Sequence, residues 1–166
     1  HHTDNFEFID GIFDVARAAH ALGYKLVVCT NQSGIGRGYY SERQFHRLTS
    51  WMCNKFLNEG APIEKVYFSP FHPTEGLGVF KKDDVSRKPR PGMIHQAQGE
   101  MNLNLESSIL IGDEVSDILA GIAAGVGLNI LFAPKQPSEL SGLHYRVIST
   151  LRESLAFMNS SGKKMG

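Results

Sequence analysis

The 166-residue chain is poor in cysteine: Cys29 and Cys53 are the only two, and no Cys-x-x-Cys spacing occurs. That excludes a disulfide-stapled miniprotein and argues against a structural zinc site, leaving two reduced thiols in apolar surroundings. Net charge is also missing. Seventeen Lys plus Arg offset seventeen Asp plus Glu, so no overall field draws the chain to nucleic acid or an anionic membrane, and any affinity for anions has to be local. No apolar run approaches the roughly twenty residues of a spanning helix, and the N-terminus lacks the charged-then-apolar layout of a signal peptide. These absences predict a soluble, cytoplasmic protein, expected to be a monomer, with neither nucleic acid nor membrane as partner. An initiator methionine is absent too. The chain opens at His1-His2-Thr3-Asp4, the histidine pair being the end of a purification tag or native sequence, and a segment is expected upstream.

What is present suffices for one ordinary core, since 42% of the residues are apolar. A single domain over 1–158 is expected, with a frayed tail over 159–166. Ile12, Val15, Ala16, Ala19 and Leu22 recur at helical spacing, with Asp10 as N-cap and Gly23 as C-cap. Lys25 to Thr30 is short and apolar, as in a strand buried on both faces of a parallel sheet. Ser41 and Gln44 form a capping-box pattern ahead of a helix whose inner face is Phe45, Leu48, Met52 and Phe56. Lys65 to Phe68 reads as a second strand, followed by a long Pro- and Gly-rich loop from Ser69 to Pro91 that should cover a site. Pro91 suits the first turn of a helix with Met93, Ile94, Ala97 and Met101 inward. Ser108 to Gly112 is a third strand, and its helix should turn Ile118, Leu119, Ile122 and Ala123 inward and stop at Gly125. Asn129 to Phe132 and Tyr145 to Ile148 complete the set. Strands alternating with helices predict an α/β three-layer sandwich with a mostly parallel, Rossmann-like sheet, in which ligands bind beyond the carboxyl ends of the strands.

Three strand ends carry polar residues suited to that place. Thr30-Asn31-Gln32-Ser33-Gly34 offers a hydroxyl and backbone amides, Arg87-Lys88-Pro89 a pair of cations, and Gly112-Asp113-Glu114 with Asp117 carboxylates. Together they suit a phosphoryl group held by amides and a lysine beside a magnesium ion with oxygen ligands. Each has a plainer reading: a turn at Thr30-Asn31, a loop cation at Lys88, a helix cap at Asp113. Gly34, Gly36 and Gly38 imitate part of a nucleotide-binding glycine motif with the wrong spacing. Lys81-Lys82-Asp83-Asp84 reads as a solvated turn, and His20 and His46 as residents of polar helix faces.

With Asp4 to Gly11, Val27 to Gly38, Arg87-Lys88-Pro89-Arg90-Pro91-Gly92-Met93, and Ile111-Gly112-Asp113 plus Asp117, the chain resembles the haloacid dehalogenase superfamily of phosphatases, in the heptose bisphosphate phosphatase branch related to histidinol-phosphate phosphatases. The resemblance implies a fold without a large cap domain and a magnesium-dependent phosphomonoester hydrolase using an aspartyl-phosphate. The substrate it implies is a small phosphorylated sugar, D-glycero-D-manno-heptose 1,7-bisphosphate losing its 7-phosphate; histidinol phosphate is the rival. It assigns Thr30, Lys88 and Asp113 as catalytic, with the Asn31 amide on phosphoryl oxygens, and Asp113 on magnesium with Asp117 behind it. Gln32, Ser33, Arg37 and Arg87, with Asn31 and Lys88, would bind substrate.

Two departures stand out. The Asp-x-Asp of the family, which supplies the nucleophile and the acid-base group, is absent; Ile9-Asp10-Gly11-Ile12-Phe13-Asp14 has the wrong spacing and starts a helix. The resemblance places the strand bearing it mid-sheet, between the strands ending at Thr30 and Gly112, so it is expected upstream of His1; its true absence would leave a non-catalytic phosphosugar-binding protein. Many relatives also carry a zinc loop, whose ligand positions fall here on Ser69, Phe71, Asp84 and Ser86. No zinc is expected. Packing of Phe71, Val79 and Phe80 should hold the loop instead, with His72 a loop or substrate contact.

Overall fold

A computed structural model describes residues 6–158; the expected tail at 159–166 lies outside the described residues. In chain order the elements are α1 (Ile12–Ala21), β1 (Leu26–Asn31), α2 (Ser33–Gly36), α3 (Glu42–Asn58), β2 (Ile63–Ser69), α4 (Gly92–Met101), β3 (Ile109–Gly112), α5 (Val115–Ala124), β4 (Leu128–Phe132) and β5 (Arg146–Ile148). Short 3-10 turns lie at Gly78–Phe80, Leu105–Ser107 and Ser138–Leu140, and a longer one, Leu151–Phe157, follows β5.

The strand pattern sorts side chains between two helical layers, as a period of two requires. Leu128, Ile130 and Phe132 of β4 turn with Ile109 and Ile111 of β3 toward Val15 of α1 and Leu151. Leu131 and Leu110 turn the other way, against Ile118 of α5. On β1 and β2, Val27, Cys29 and Tyr67 meet Met93 and Ala97 of α4, while Leu26 and Ile63 meet Ala16 of α1 and Phe56 of α3. This is the expected three-layer α/β sandwich.

All pairings are parallel, but the sheet is in two pieces. β1 pairs with β2, and β3 with β4 and β4 with β5; no ladder joins β1 to β3. Between those two strands lies a cavity of about 440 Å³ lined by Leu26 to Cys29, Ile109 to Ile111, α1 and α4, with Lys88 and Asp117 at one end. It explains why β1 and β3 are only half-buried rather than covered on both faces as expected.

Several local expectations are corrected. Asp10 does not cap α1: Gly11 holds that position without a side-chain bond, and Asp10 pairs with Arg152 at 2.9 Å. Pro91 is the N-cap of α4 rather than its first residue. In α5 the buried residues are Asp117, Ile118, Ala120 and Gly121, with Ala123 exposed, because the helix lies against β3 and β4 through the shorter side chains. The Leu151–Phe157 turn was not foreseen, although Thr150 and Glu153 form its capping box; Arg152 there also binds Asp14 of α1 at 2.9 Å. Ser41 and Gln44 form the expected capping box of α3, and Gly125 ends α5.

Two outcomes follow from this packing. Ile118 is fully buried against Leu131 and Leu140, so Ile118→Ala should lower stability by about 2–5 kcal/mol in urea unfolding. On α4, Lys65 and then Tyr67 hold the Glu100 carboxyl down to about 2, against an ordinary value of about 4.3. A depressed carboxyl stabilises fully above its unfolded value and ceases to as pH falls through the folded one. Stability should therefore drop on acidification from about pH 4.5 to 2, and Glu100→Gln should flatten that part of the curve.

Candidate active site

β1 ends at Asn31 and β3 at Gly112, and both carboxyl ends open toward the same group. Lys88, from the long loop before α4, donates from Nζ to the Cys29 carbonyl at 2.8 Å and to Asp117 Oδ1 at 2.5 Å. The two charged side chains are 12% and 10% exposed, so the pair is largely withdrawn from water and stronger than a surface bridge. Asp117 Oδ2 accepts from the Glu114 amide at 3.0 Å, the reciprocal half of the capping box of α5. A side chain on Gly112 would collide with Asp117, its Cβ falling 2.5 Å from Oδ2, so the β3-to-α5 turn needs glycine. Asp117 thus ties Lys88 to the end of β3, where the resemblance placed it behind a metal ligand.

On the β1 side, Asn31 clamps the backbone of Lys88: Nδ2 donates to the Lys88 carbonyl and Oδ1 accepts from its amide, each at 3.0 Å. Thr30 Oγ1 accepts from Gln32 Nε2 at 2.9 Å, and the Tyr40 hydroxyl donates to Gln32 Oε1. Gln32 therefore stands between Tyr40 and the hydroxyl expected to face a phosphoryl group. Ser33 begins α2, and its carbonyl accepts from the Arg37 amide at 2.9 Å. The Arg37 guanidinium lies 4.7 Å from the Tyr39 ring centre and pairs with Glu75 at 3.0 Å, so it is joined to the covering loop. Arg87 Nη1 donates to the Phe71 carbonyl at 3.2 Å. The glycines of this segment serve packing: a Cβ on Gly34 would meet the Tyr40 ring and one on Gly36 the Pro70 carbonyl, both at 2.2 Å.

Asp113 is exposed at the end of β3 and makes no hydrogen bond or ion pair among the described residues; it is not the helix cap, which is Glu114. Its carboxylate can give one oxygen to a divalent cation, which asks for about six. No group of three or more His, Cys, Asp or Glu among the described residues could hold a metal ion. Thr30, Lys88 and Asp113 lie at one end of the cavity's two flanking strands. Cys29, on the cavity wall, has its thiol pushed up to about 11 by burial, which leaves it unreactive near neutral pH.

The covering loop departs from expectation. Val79 is 82% exposed and cannot hold it; Phe71 and Phe80 do pack, ring centres 6.1 Å apart. Hydrogen bonds supply the rest. Ser86 Oγ donates to Ser69 Oγ at 2.8 Å, Asp84 Oδ2 caps the Ser86 amide at 3.0 Å, and His72 Nδ1 accepts from the Glu75 amide at 2.9 Å. Asp84 is therefore built into the loop, unlike the solvated turn expected of it, and His72 is a loop contact.

Removing one member of the Lys88–Asp117 pair leaves a largely buried charge alone. Lys88→Met should cost about 3 kcal/mol or more in urea unfolding, and adding Asp117→Leu should recover much of the loss.

A HAD-hydrolase-like family model matches residues 85–129. The chain is 47% identical over 98% of its length to the D-glycero-alpha-D-manno-heptose-1,7-bisphosphate 7-phosphatase of Burkholderia mallei, covering 86% of that protein. It is 44% identical over 82% of its length to the D-glycero-beta-D-manno-heptose-1,7-bisphosphate 7-phosphatase of Haemophilus influenzae, covering 74% of it. Among solved structures, one described as a HAD-like phosphatase from Mesorhizobium loti superposes with a TM-score of 0.84 at 27% identity, covering 99% of this chain and 78% of that one. The D,D-heptose 1,7-bisphosphate phosphatase of B. bronchiseptica, complexed with magnesium and phosphate, shares the fold with a TM-score of 0.79 at 21% identity, over 93% and 84% of the two chains. The chain belongs to the heptose bisphosphate phosphatase branch of the HAD-like phosphatases.

Proposed function

We propose that this site removes the 7-phosphate of a D-glycero-D-manno-heptose 1,7-bisphosphate, in the cytoplasm, through an aspartyl-phosphate on a strand seated between β1 and β3. The observation that carries the reading is the cavity between those two unpaired parallel edges, ending at Lys88 and Asp117. A sheet edge presents a row of unpaired amides and carbonyls, each costing about 1–3 kcal/mol when buried without a partner. One inserted strand satisfies both edges, and its carboxyl end comes out beside Lys88. The occupant is the segment preceding this chain's first residue, carrying the Asp-x-Asp that the sequence lacks.

A carboxylate there attacks phosphorus as the sugar oxygen departs with a proton from the second aspartate; water then cleaves the acyl phosphate and frees inorganic phosphate. Lys88 neutralises charge on the transferring group, and the Thr30 hydroxyl and the amides at the end of β1 hold its oxygens. Asp113 would give one carboxylate to magnesium and the strand the others, and the bound ion would supply positive charge against the phosphate and the nucleophile. Arg37, Arg87 and the segment from Gln32 to Ser33 face the remainder of the sugar bisphosphate. The relatives named for the alpha and the beta anomer leave both as substrates to compare.

The test is phosphate release from both heptose bisphosphate anomers and from histidinol phosphate, using protein with its upstream coding sequence. Turnover of a heptose bisphosphate at least tenfold above histidinol phosphate is expected; the reverse preference overturns the substrate. Asp113→Asn should abolish magnesium-dependent turnover while leaving the unfolding midpoint within error. An upstream segment without Asp-x-Asp and no turnover would make the chain a phosphosugar-binding protein.

A further inference from the structure

Lys88 does its work from the end of a long loop, and a lysine side chain loses rotamer entropy when fixed. Something must hold it. The neighbouring strand ends of β1 and β2 do so with two side chains in register. Asn31 pairs with Ser69 across the β1–β2 ladder, and the ladder is closed by the Gln32 amide donating to the Ser69 carbonyl at 2.7 Å. Asn31 grips both backbone polar atoms of Lys88. Ser69, fully buried, accepts from the hydroxyl of Ser86, two residues before Lys88. The gripped segment is stiff in itself: the Arg87 amide donates to the Asp84 carbonyl at 3.0 Å, Arg90 to Arg87 at 2.8 Å, and Gly92 to Val85 at 2.8 Å. Two anchors, one at each end of three residues, fix both position and direction of the peptide from which the Lys88 side chain leaves.

The geometry points to Asn31 and the Ser69–Ser86 hydroxyl pair as positioning residues that set the Lys88 ammonium at the reacting phosphoryl group. The Asn31 carboxamide serves no ligand directly, since turning it toward a phosphate would release the Lys88 backbone. This rests on the phosphatase reading of the site and adds to it two groups that touch neither substrate nor metal. Their effect on rate passes through Lys88. Placement tolerances in such sites are tight, a shift of about 1 Å costing on the order of 10²-fold.

The experiment is a double-mutant cycle on protein with its upstream coding sequence, reading kcat and KM for the heptose bisphosphate and the unfolding midpoint of every variant. Asn31→Ala should lower kcat about 10²-fold with KM changed by less than about threefold. Ser86→Ala should lower kcat about tenfold, and Ser86→Thr, which keeps the hydroxyl, should restore it. In a Lys88→Met background, Asn31→Ala and Ser86→Ala should each change the residual kcat by less than about twofold, because the group they position is gone. Full-size effects in that background, or wild-type kcat in either single variant, overturn the proposal. Should Lys88→Met leave no measurable rate, the same cycle is read in binding of inorganic phosphate with magnesium, where additive losses overturn it and non-additive ones support it. Wild-type protein that neither turns over a phosphomonoester nor binds phosphate overturns the phosphatase reading instead.

Discussion

The buried ion pair between Lys88 and Asp117 joins two halves of a sheet that share no strand pairing. β1 and β2 form one ladder, β3, β4 and β5 another, and Lys88 reaches across, bonded to the Cys29 carbonyl on one side and to Asp117 on the other. A hydrophobic bridge would hold the halves together as well or better, since a buried pair recovers its desolvation cost only with good geometry and further hydrogen bonds. Here both conditions are met, and the pair additionally puts a cation where the proposed function seats the phosphate. Its cost to the fold makes sense as part of a site.

The apolar contacts between the halves come from the two helices that span them. Val15 and Ala16, adjacent on α1, belong to the clusters over β4 and over β1 respectively. On α4, Ile94 packs toward α5 while Met93 and Ala97 pack on β1 and β2. The layers are thus continuous although the sheet between them is not, and the cavity is roofed and floored by helix side chains. A space bounded by two parallel strand edges and two helical layers has the shape of one strand.

Much of this was legible in the sequence because local pattern and global fold agree. Strands with near-continuous apolar runs, the Ser41–Gln44 box and Gly125 carry their signals in residue type. The candidate residues Thr30 and Asp113 could be placed because they lie at or just past strand ends, where such sheets bind ligands, and Lys88 because the Arg-Lys-Pro motif that the resemblance rests on contains it. The errors share a cause. Asp10 looked like a cap because aspartate often is one, but a guanidinium 142 positions away in the sequence, on Arg152, binds it. Val79 looked like core by hydrophobicity alone, and no periodicity inside an irregular loop could say which way it faced.

The same distinction explains why the positioning role of Asn31 was invisible. Sequence could suggest that its backbone lies at a phosphate, yet the carboxamide's partners come from the far end of a loop 57 residues on. Ser69 and Ser86 were noted only as positions where relatives place metal ligands. In this chain a hydroxyl pair occupies that place, and a hydrogen bond between two serines closes the loop on itself as a shared ion would, with less force per contact. Such a clasp works only because Ser69 is fully buried: water cannot compete for its hydroxyl, so a bond worth about 1 kcal/mol on a surface is costly to leave unmade inside.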